Sequence, residues 1–413
     1  MKKVMLASFT AAIIGLGTVT LAAPGNAASE SSPVAGQIIV KFRDHGTASD
    51  VLRQHGLSEG PGIGSTGARL IKVPAGKESQ LIQALDRNPA VEYAEPDELV
   101  TAATTDEYFP RQYALYNEGQ SFTNTAGDLS VAGGKVDADV DAVEAWNVTT
   151  GGGIKVAVLD SGVASDNPDI TSKVVARANF SNGVAGEDNY GHGTHVAGIV
   201  AGVHNTEGVA GVCPGCTILD GKVLNDSGVS TTSGIANALN WAVSNGAKVI
   251  NMSIGQRTSS RTLEAAVNNA WNKGAVLVAA AGNTGSQSKI YPAAYPNVIA
   301  VAATDNNDAK ASFSTYGAKW VDVAAPGVNV YSTFPNHDFV LARQHNRSRG
   351  YDVGNGTSMS SPIVAAAAAL AWSSHPGATN TSVRANIEST ADKISGTGTH
   401  WAHGRVNAHN ATK

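Results

Sequence analysis

The chain has 413 residues, a formal net charge of -5, and only 15% charged and 6% aromatic residues. So mild a balance, with no basic stripe and no Lys/Arg cluster, argues against nucleic acid or an anionic membrane as partner. Abundant Gly, Ala, Ser and Asn suit a globular exported protein. At the N-terminus, Lys2 and Lys3 precede an uncharged apolar run over 4–23, and Pro24, Gly25, Asn26 and Ala27 follow. This order predicts a secretory signal peptide over 1–28. A transmembrane anchor is the rival reading, since about 20 residues span a bilayer; the small-residue exit and the lack of a basic stop favour cleavage. The later apolar run 363–372 is too short to span and predicts a buried helix. The mature protein is expected to be secreted, extracellular and monomeric.

Residues 30–100 predict a small α+β unit: strands at 37–42, 68–73 and 90–96 with helices at 48–54 and 77–87 between them. A unit of this size has a thin core and gains from a partner. The polar stretch 101–106 reads as a linker. Beyond it, short apolar strands (154–159, 218–223, 248–254, 275–281, 298–303, 320–325) alternate with helical patterns (192–203, 232–244, 263–272, 357–373, 381–391). That alternation predicts a mostly parallel sheet with helices on both faces. Cys213 and Cys216 stand in Cys-Pro-Gly-Cys. No second CxxC completes a zinc site. Export favours a disulfide across the Pro-Gly turn, with a free or redox-active pair as the alternative; a loop so short stiffens locally and adds little stability.

Three segments carry chemistry. Val156 to Leu159 runs into Asp160-Ser161-Gly162, at the carboxyl end of a strand where ligands collect in parallel sheets; alone, Asp160 reads equally as a turn or cap residue. Gly191-His192-Gly193-Thr194-His195 opens an apolar helix. Two histidines three apart suggest a metal or packed core histidines, and the intervening Glu of a zincin helix is missing. Gly354-Asn355-Gly356-Thr357-Ser358-Met359-Ser360 opens the last long helix. There Ser358 is a helix cap or an exposed nucleophile, and Ser360 breaks the GxSxG elbow pattern.

Their order, Asp then His then Ser, is that of subtilisin. Together with 270–274, 279–283, 312–317 and the ending Gly404-Arg405-Val406-Asn407-Ala408, they resemble the subtilases, especially the thermitase group, over about 108–411. The resemblance implies a three-layer subtilisin fold and a serine endopeptidase with Asp160, His192 and Ser358 as triad. It acts through an acyl-enzyme on protein and peptide substrates with broad specificity. His192 serves as base and acid, Asp160 orients it, and Asn283 with the Ser358 N–H stabilises the oxyanion. His195 has no catalytic role in this reading. Ser253, Ile254 and Gly255 form the substrate-pairing strand. The S1 base is expected from Ala280, Ala281 and Gly282 and from Ile290, beside a Tyr291–Pro292 bond expected to be cis. If Ile290 points inward, aromatic P1 residues fit badly.

The resemblance also implies a Ca2+ site from Gln112, from Asp169, and from Val203, Asn205, Glu207 and Val209 in the loop breaking the His192 helix; a second site is doubtful because 182–189 carries few acids. The first unit becomes an inhibitor-type propeptide over 29–104, an intramolecular chaperone and inhibitor removed by the enzyme itself between about 100 and 106. The peptidase domain then runs over 105–413. Segment 335–349 is longer than in relatives and carries His337, Arg343, His345, Arg347 and Arg349. It reads as a flexible surface loop, or as a border of the cleft on the leaving-group side. A non-catalytic binding protein or a peptide ligase on the same fold are the rival classes. The first would show a lost triad residue, and none is lost; for the second, nothing marks an acceptor site.

Overall fold

The computed structural model describes residues 33–98 and 106–413. The expected signal peptide and most of the linker lie outside the described residues. The chain divides into two compact units, Met1–Val100 and Thr101–Lys413.

In the first unit the order is β1 (Pro33–Phe42), α1 (Ala48–Gln54), β2 (Ala68–Lys72), α2 (Glu78–Asp86) and β3 (Val91–Glu98). The three strands form an antiparallel sheet in the order β2-β1-β3. Ile38, Val40 and Phe42 alternate along β1 and point to one face, as a period of two requires. They pack with Leu52, Ile71 and Leu85 into the unit's single core.

The second unit begins with the short pair β4 (Phe122–Thr123) and β5 (Ser130–Val131), then α3 (Ala142–Trp146). Next come β6 (Lys155–Asp160), α4 (Pro168–Thr171), β7 (Val174–Asn179), α5 (His192–Ala201), β8 (Thr217–Lys222), α6 (Thr232–Ser244) and β9 (Val249–Met252). Then follow α7 (Arg261–Asn272), β10 (Val276–Ala280), β11 (Ile299–Thr304), β12 (Val323–Pro326), β13 (Val330–Thr333), α8 (Val340–His345) and β14 (Tyr351–Gly354). The chain ends with α9 (Thr357–Ser374), α10 (Asn380–Ser389), β15 (Gly404–Arg405) and α11 (Ala408–Thr412).

Eight strands make one sheet, β15-β12-β11-β10-β9-β6-β8-β7, and every neighbouring pair is parallel. Both faces are covered, so each central strand splits its side chains between two cores. Val156 and Val158 of β6 join Val276 and Val278 of β10 on the α9 side. Ala157, Leu159, Leu277 and Ala279 face α6 and α7. Helix α9 is buried except at Ser358 and its last two residues; its run Ala365–Ala369 is completely inaccessible, and the small side chains let it pack against β9, β10, β11 and β12. Side chains cap the outer helices: Thr231 accepts from Gly234 N–H and Ser260 from Leu263 N–H, typically worth about 1 kcal/mol each.

The predicted strands and helices of both units appear with ends shifted by at most two residues, except that β1 begins four residues earlier, at Pro33, and β12 three residues later, at Val323. The first core strand, for example, ends on Asp160 itself. Edge strand β7 was not foreseen, because its exposure alternates along Val174–Asn179 and its polar side chains weaken the apolar signal. Segment 335–349 departs from the surface-loop reading. It contains α8 and is anchored by Phe339, which is fully buried and stacks on Phe334 at 5.0 Å between ring centroids.

Candidate active site

Asp160 sits at the carboxyl end of β6 and is 1% exposed. Gly193, in the first turn of α5, presses on the turn that follows: a Cβ there would lie 2.2 Å from Gly162 O. This close approach lets His192 reach Asp160, whose Oδ1 stands 2.8 Å from His192 Nδ1. The same Oδ1 accepts from Ser161 N–H at 2.7 Å, while Oδ2 has no hydrogen-bond partner among the described residues. His192 keeps 16% of its side chain exposed at the cleft. Burial pushes the imidazole pKa down, but the charge and hydrogen bond of Asp160, with Asp188 behind it, raise it above its ordinary value.

Asp188 is a positioning group that the sequence reading passed over. It is completely buried and accepts from Ser161 Oγ, Gly191 N–H, Thr194 N–H and Thr194 Oγ1 at 2.7–2.8 Å. It thereby ties the turn after β6 to the start of α5. Its signal was its place four residues before His192. His195 is fully buried, with Nε2 3.2 Å from Asp352 O and its ring against Phe334, and burial lowers its pKa to about 3. It is a neutral, fully buried histidine that lies behind His192, beneath the cavity bordered by Phe334 and Met359.

Ser358 lies in the first turn of α9, after Gly356 at φ +143°. Pro362 offers no N–H to the carbonyl four residues earlier. That carbonyl belongs to Ser358, and Ser253 Oγ donates to it instead at 2.8 Å. The proline thus leaves a carbonyl that fastens Ser253 to the turn that carries Ser358. Ser358 Oγ itself donates to Ser253 O at 3.3 Å, and no hydrogen bond joins it to His192 among the described residues. The Asn283 carboxamide is oriented from one side. Its oxygen accepts from Thr357 N–H at 2.9 Å and Thr357 Oγ1 at 3.0 Å, which turns Nδ2 the other way. A Cβ on Gly356 would sit 3.2 Å from Asn283 Nδ2 and 3.6 Å from Ser358 N, so both donors flank one small space.

Beside Ser358 opens a cavity of about 280 Å3, lined by Ser253, Gly255, Ala280, Gly282, Asn283 and Ile290. Ile290 points into it. The backbones of Ile254 and Gly255 make no hydrogen bonds among the described residues, which leaves an edge for an extended chain. Ala281 lies elsewhere: it is fully buried behind the cavity with Ala302, Val321, Ala324 and Trp401, and Ala280 takes the lining position. The strand leaves the sheet at Ala280, so the next side chain turns inward. The Tyr291–Pro292 bond is cis.

The expected calcium residues gather around the loop after α5. Asp169 is 2% exposed; its Oδ2 accepts from Val209 N–H at 2.8 Å, and Oδ1 is buried with no hydrogen-bond partner. Burial, with the charges of Asp106 and Glu207, raises its pKa to about 7. Val203 N–H donates to Asp169 O, and Asn205 N–H donates to Asp106 Oδ1 at 2.8 Å. Gln112 turns its whole carboxamide to Ala210, with both bonds at 2.8 Å. Asp106, read in the sequence as linker, belongs to this cluster; its only signal was a carboxylate next to the domain start. An orphaned buried carboxylate oxygen among several acids fits a hard cation. Cys213 and Cys216 are joined by a disulfide.

The family model described as the subtilase family matches residues 151–406, and the chain belongs to that family. It is a subtilase serine peptidase, and its N-terminal unit matches the fervidolysin N-terminal prodomain over 22–97. Thermitase of Thermoactinomyces vulgaris is 48% identical over 276 residues, 66% of this chain and 94% of that protein. The thermophilic serine proteinase of Bacillus sp. (strain AK1) is 42% identical over 386 residues, 92% of this chain and 87% of that protein. Among solved structures, a chain described as proteases from Pseudoalteromonas arctica matches with TM-score 0.64 and 29% identity, covering 75% of this chain and 99% of that one. Among the described residues no helix is long and apolar enough to cross a membrane.

Proposed function

We propose that the protein is a secreted serine endopeptidase of broad specificity, with Asp160, His192 and Ser358 as catalytic triad. The observation that carries the reading is the 2.8 Å contact of His192 Nδ1 with buried Asp160, on the rim of the cleft where Ser358 opens α9. An aliphatic hydroxyl is a weak nucleophile at neutral pH and needs an adjacent base. Ser358 Oγ turns from Ser253 O toward His192 as substrate binds, and apo geometry is commonly loose in this respect. Oγ attacks the carbonyl carbon while His192 takes its proton. Asp160 holds the tautomer and stabilises the imidazolium. The oxyanion receives hydrogen bonds from Asn283 Nδ2 and Ser358 N–H. His192 then protonates the leaving amine, and water hydrolyses the acyl-enzyme by the same relay.

The substrate pairs as an extended strand with Ser253, Ile254 and Gly255, and its P1 side chain enters the cavity that Gly282 and Ile290 enclose. Residues 1–28 direct export. Residues 29–104 form the propeptide, an inhibitor that the enzyme removes itself. Calcium would be held by Asp106, Asp169, Asn205 and Glu207, with carbonyls of Val203 and Val209. Gln112 stands behind them, holding Ala210. The ion supplies bracing of the loop and takes no part in the chemistry.

Wild type and Ser358→Ala incubated with casein and a serine-reactive fluorophosphonate test the reading. Hydrolysis and labelling by the processed wild type, both lost in the variant, are expected. An inert wild type with unlabelled Ser358 refutes it.

A further inference from the structure

On the other side of His192 from the pairing strand lies a further cavity of about 190 Å3. Apart from His192 it shares no residue with the cavities beside 253–256. Since the acyl half of a substrate lies along 253–255, this cavity receives the leaving-group half. Phe334, Leu341 and Met359 give it a largely apolar floor beside the ring of His195, Asn355 stands at its edge, and its outer wall carries His345 and Arg347. Leu341, His345 and Arg347 all come from the extended segment 335–349.

That segment is built into the site. Phe339 packs directly on Gly191, the residue before His192, where an added Cβ would lie 2.2 Å from the ring. Val340 N–H donates to Asn189 O at 3.0 Å and Leu341 N–H to Tyr190 O at 3.2 Å. His337 pairs with Asp166 at 2.7 Å. The segment holds three arginines, Arg343, Arg347 and Arg349, against one carboxylate, Asp338. Arg343 pairs with Asp338, and Arg349 approaches it at 3.9 Å. Arg347 is half-buried and makes no ion pair among the described residues.

No carboxylate among the described residues lies within ion-pair distance of Arg347; exposed Asp128 is held below its ordinary pKa by Asn346 and Asn124 and, more weakly, by the charge of Arg347. Asp352 gives its oxygens to Ser348 and Val353 N–H, and Asp128 accepts from Asn346 and Asn124. A half-buried guanidinium with no paired carboxylate, above an apolar floor, matches a side chain with an aliphatic stem and a terminal carboxylate.

We propose that segment 335–349 forms a leaving-group-side subsite that selects an acidic residue, glutamate above all, at the first or second position after the scissile bond. The proposal rests on the peptidase reading above, and the test separates the two. Internally quenched peptides identical except for Glu, Ala or Lys at those positions are cleaved by active-site-titrated mature enzyme, and the cut is located by mass spectrometry. The Glu peptide is expected to exceed the Lys peptide in kcat/KM by about fivefold at low salt, as a partly desolvated charge contact allows. The ratio should approach one in about 1 M salt, where the screening length falls to about 3 Å. Arg347→Gln should bring the ratio to within about twofold, and Arg347→Lys, which keeps the charge but not the planar fork, should retain only part of it. A wild-type ratio of one or below, or a preference untouched in Arg347→Gln, overturns the subsite while leaving the peptidase standing. Failure of wild type to cut even the Ala peptide overturns the peptidase reading itself.

Discussion

Ile290 sets the most direct test of the S1 pocket. It is 6% exposed and clamped between two glycines: a Cβ on Gly255 would lie 2.5 Å from its Cγ2, and one on Gly282 2.8 Å from its Cγ1. Backbone therefore holds both arms of a side chain that is already stiff at χ1, so it does not swing aside to admit a ring. Pressing a phenyl group against such a wall costs about 1–3 kcal/mol, or about 5- to 150-fold in kcat/KM. Leucine, shorter and flexible at its tip, escapes most of that cost. Ile290→Ala removes three carbons and opens the wall. A closed-core Ile→Ala loses about 2–5 kcal/mol of stability; here the space faces solvent, so the loss falls at or below the low end. The assay is kcat/KM for matched peptides with Phe or Leu at P1. Wild type should favour Leu by at least about fivefold, and Ile290→Ala should remove or invert the preference. A clear Phe preference in wild type, or an unchanged ratio in the variant, refutes the reasoning.

Asn283→Leu removes one oxyanion donor and should lower kcat about 10²- to 10³-fold with little change in KM, the loss known for subtilisins themselves; a drop confined to KM would instead make Asn283 a ground-state contact. The pH profile follows from His192, which must be neutral to act as base. Its pKa is raised, so the acid limb of kcat/KM should lie above the ordinary value of about 6.5. Asp160→Asn leaves burial to dominate and should move that limb downward, alongside a large fall in kcat; a wild-type limb below about 6 contradicts the electrostatic picture. Removing calcium with a chelator should lower the melting temperature by about 3–5 °C, since a ligand at 100 times its Kd contributes about 2.7 kcal/mol against an unfolding entropy of about 0.65 kcal/mol/K for a domain of this size. Asp169→Asn should abolish the difference between calcium and chelator, and equal melting temperatures for wild type in both would count against the site.

The central strands were legible because a parallel sheet covered on both faces needs unbroken apolar runs. Val156 to Leu159 and Val276 to Ala280 are such runs, and their carboxyl ends mark where Asp160 and Asn283 stand. What the sequence could not carry was distance: Asp160 and His192 are 32 positions apart. Their contact depends on Gly193 seating α5 against Gly162. Asp106 was unreadable as a cluster member because it stands 63 positions before Asp169 and meets the loop at Asn205 only through the fold. The direction of Ala281 was equally hidden, since it turns on where β10 lets go of the sheet.

Segment 335–349 shows the same limit from the opposite side. Its polar, Arg-rich composition carries a weak helical signal, so local propensity alone leaves it a loop. One aromatic decides otherwise. Phe339 needs a flat, side-chain-free surface, and Gly191 at φ +95° supplies it beside His192. A Cβ at 191 would strain the backbone and strike the ring at once. Gly191 therefore has two duties: it lets the turn enter α5, and it receives the segment that walls the leaving-group side. Gly191→Ala should thus perturb primed-side selectivity as well as His192. Phe339→Ala should release the segment while leaving the His192–Asp160 pair in place, because no contact of that pair involves Phe339. Selectivity for Glu over Lys after the scissile bond would then fall while the acid limb of the pH profile stays where it was. A matching shift of both would mean that the segment acts through His192 and not as a wall of its own.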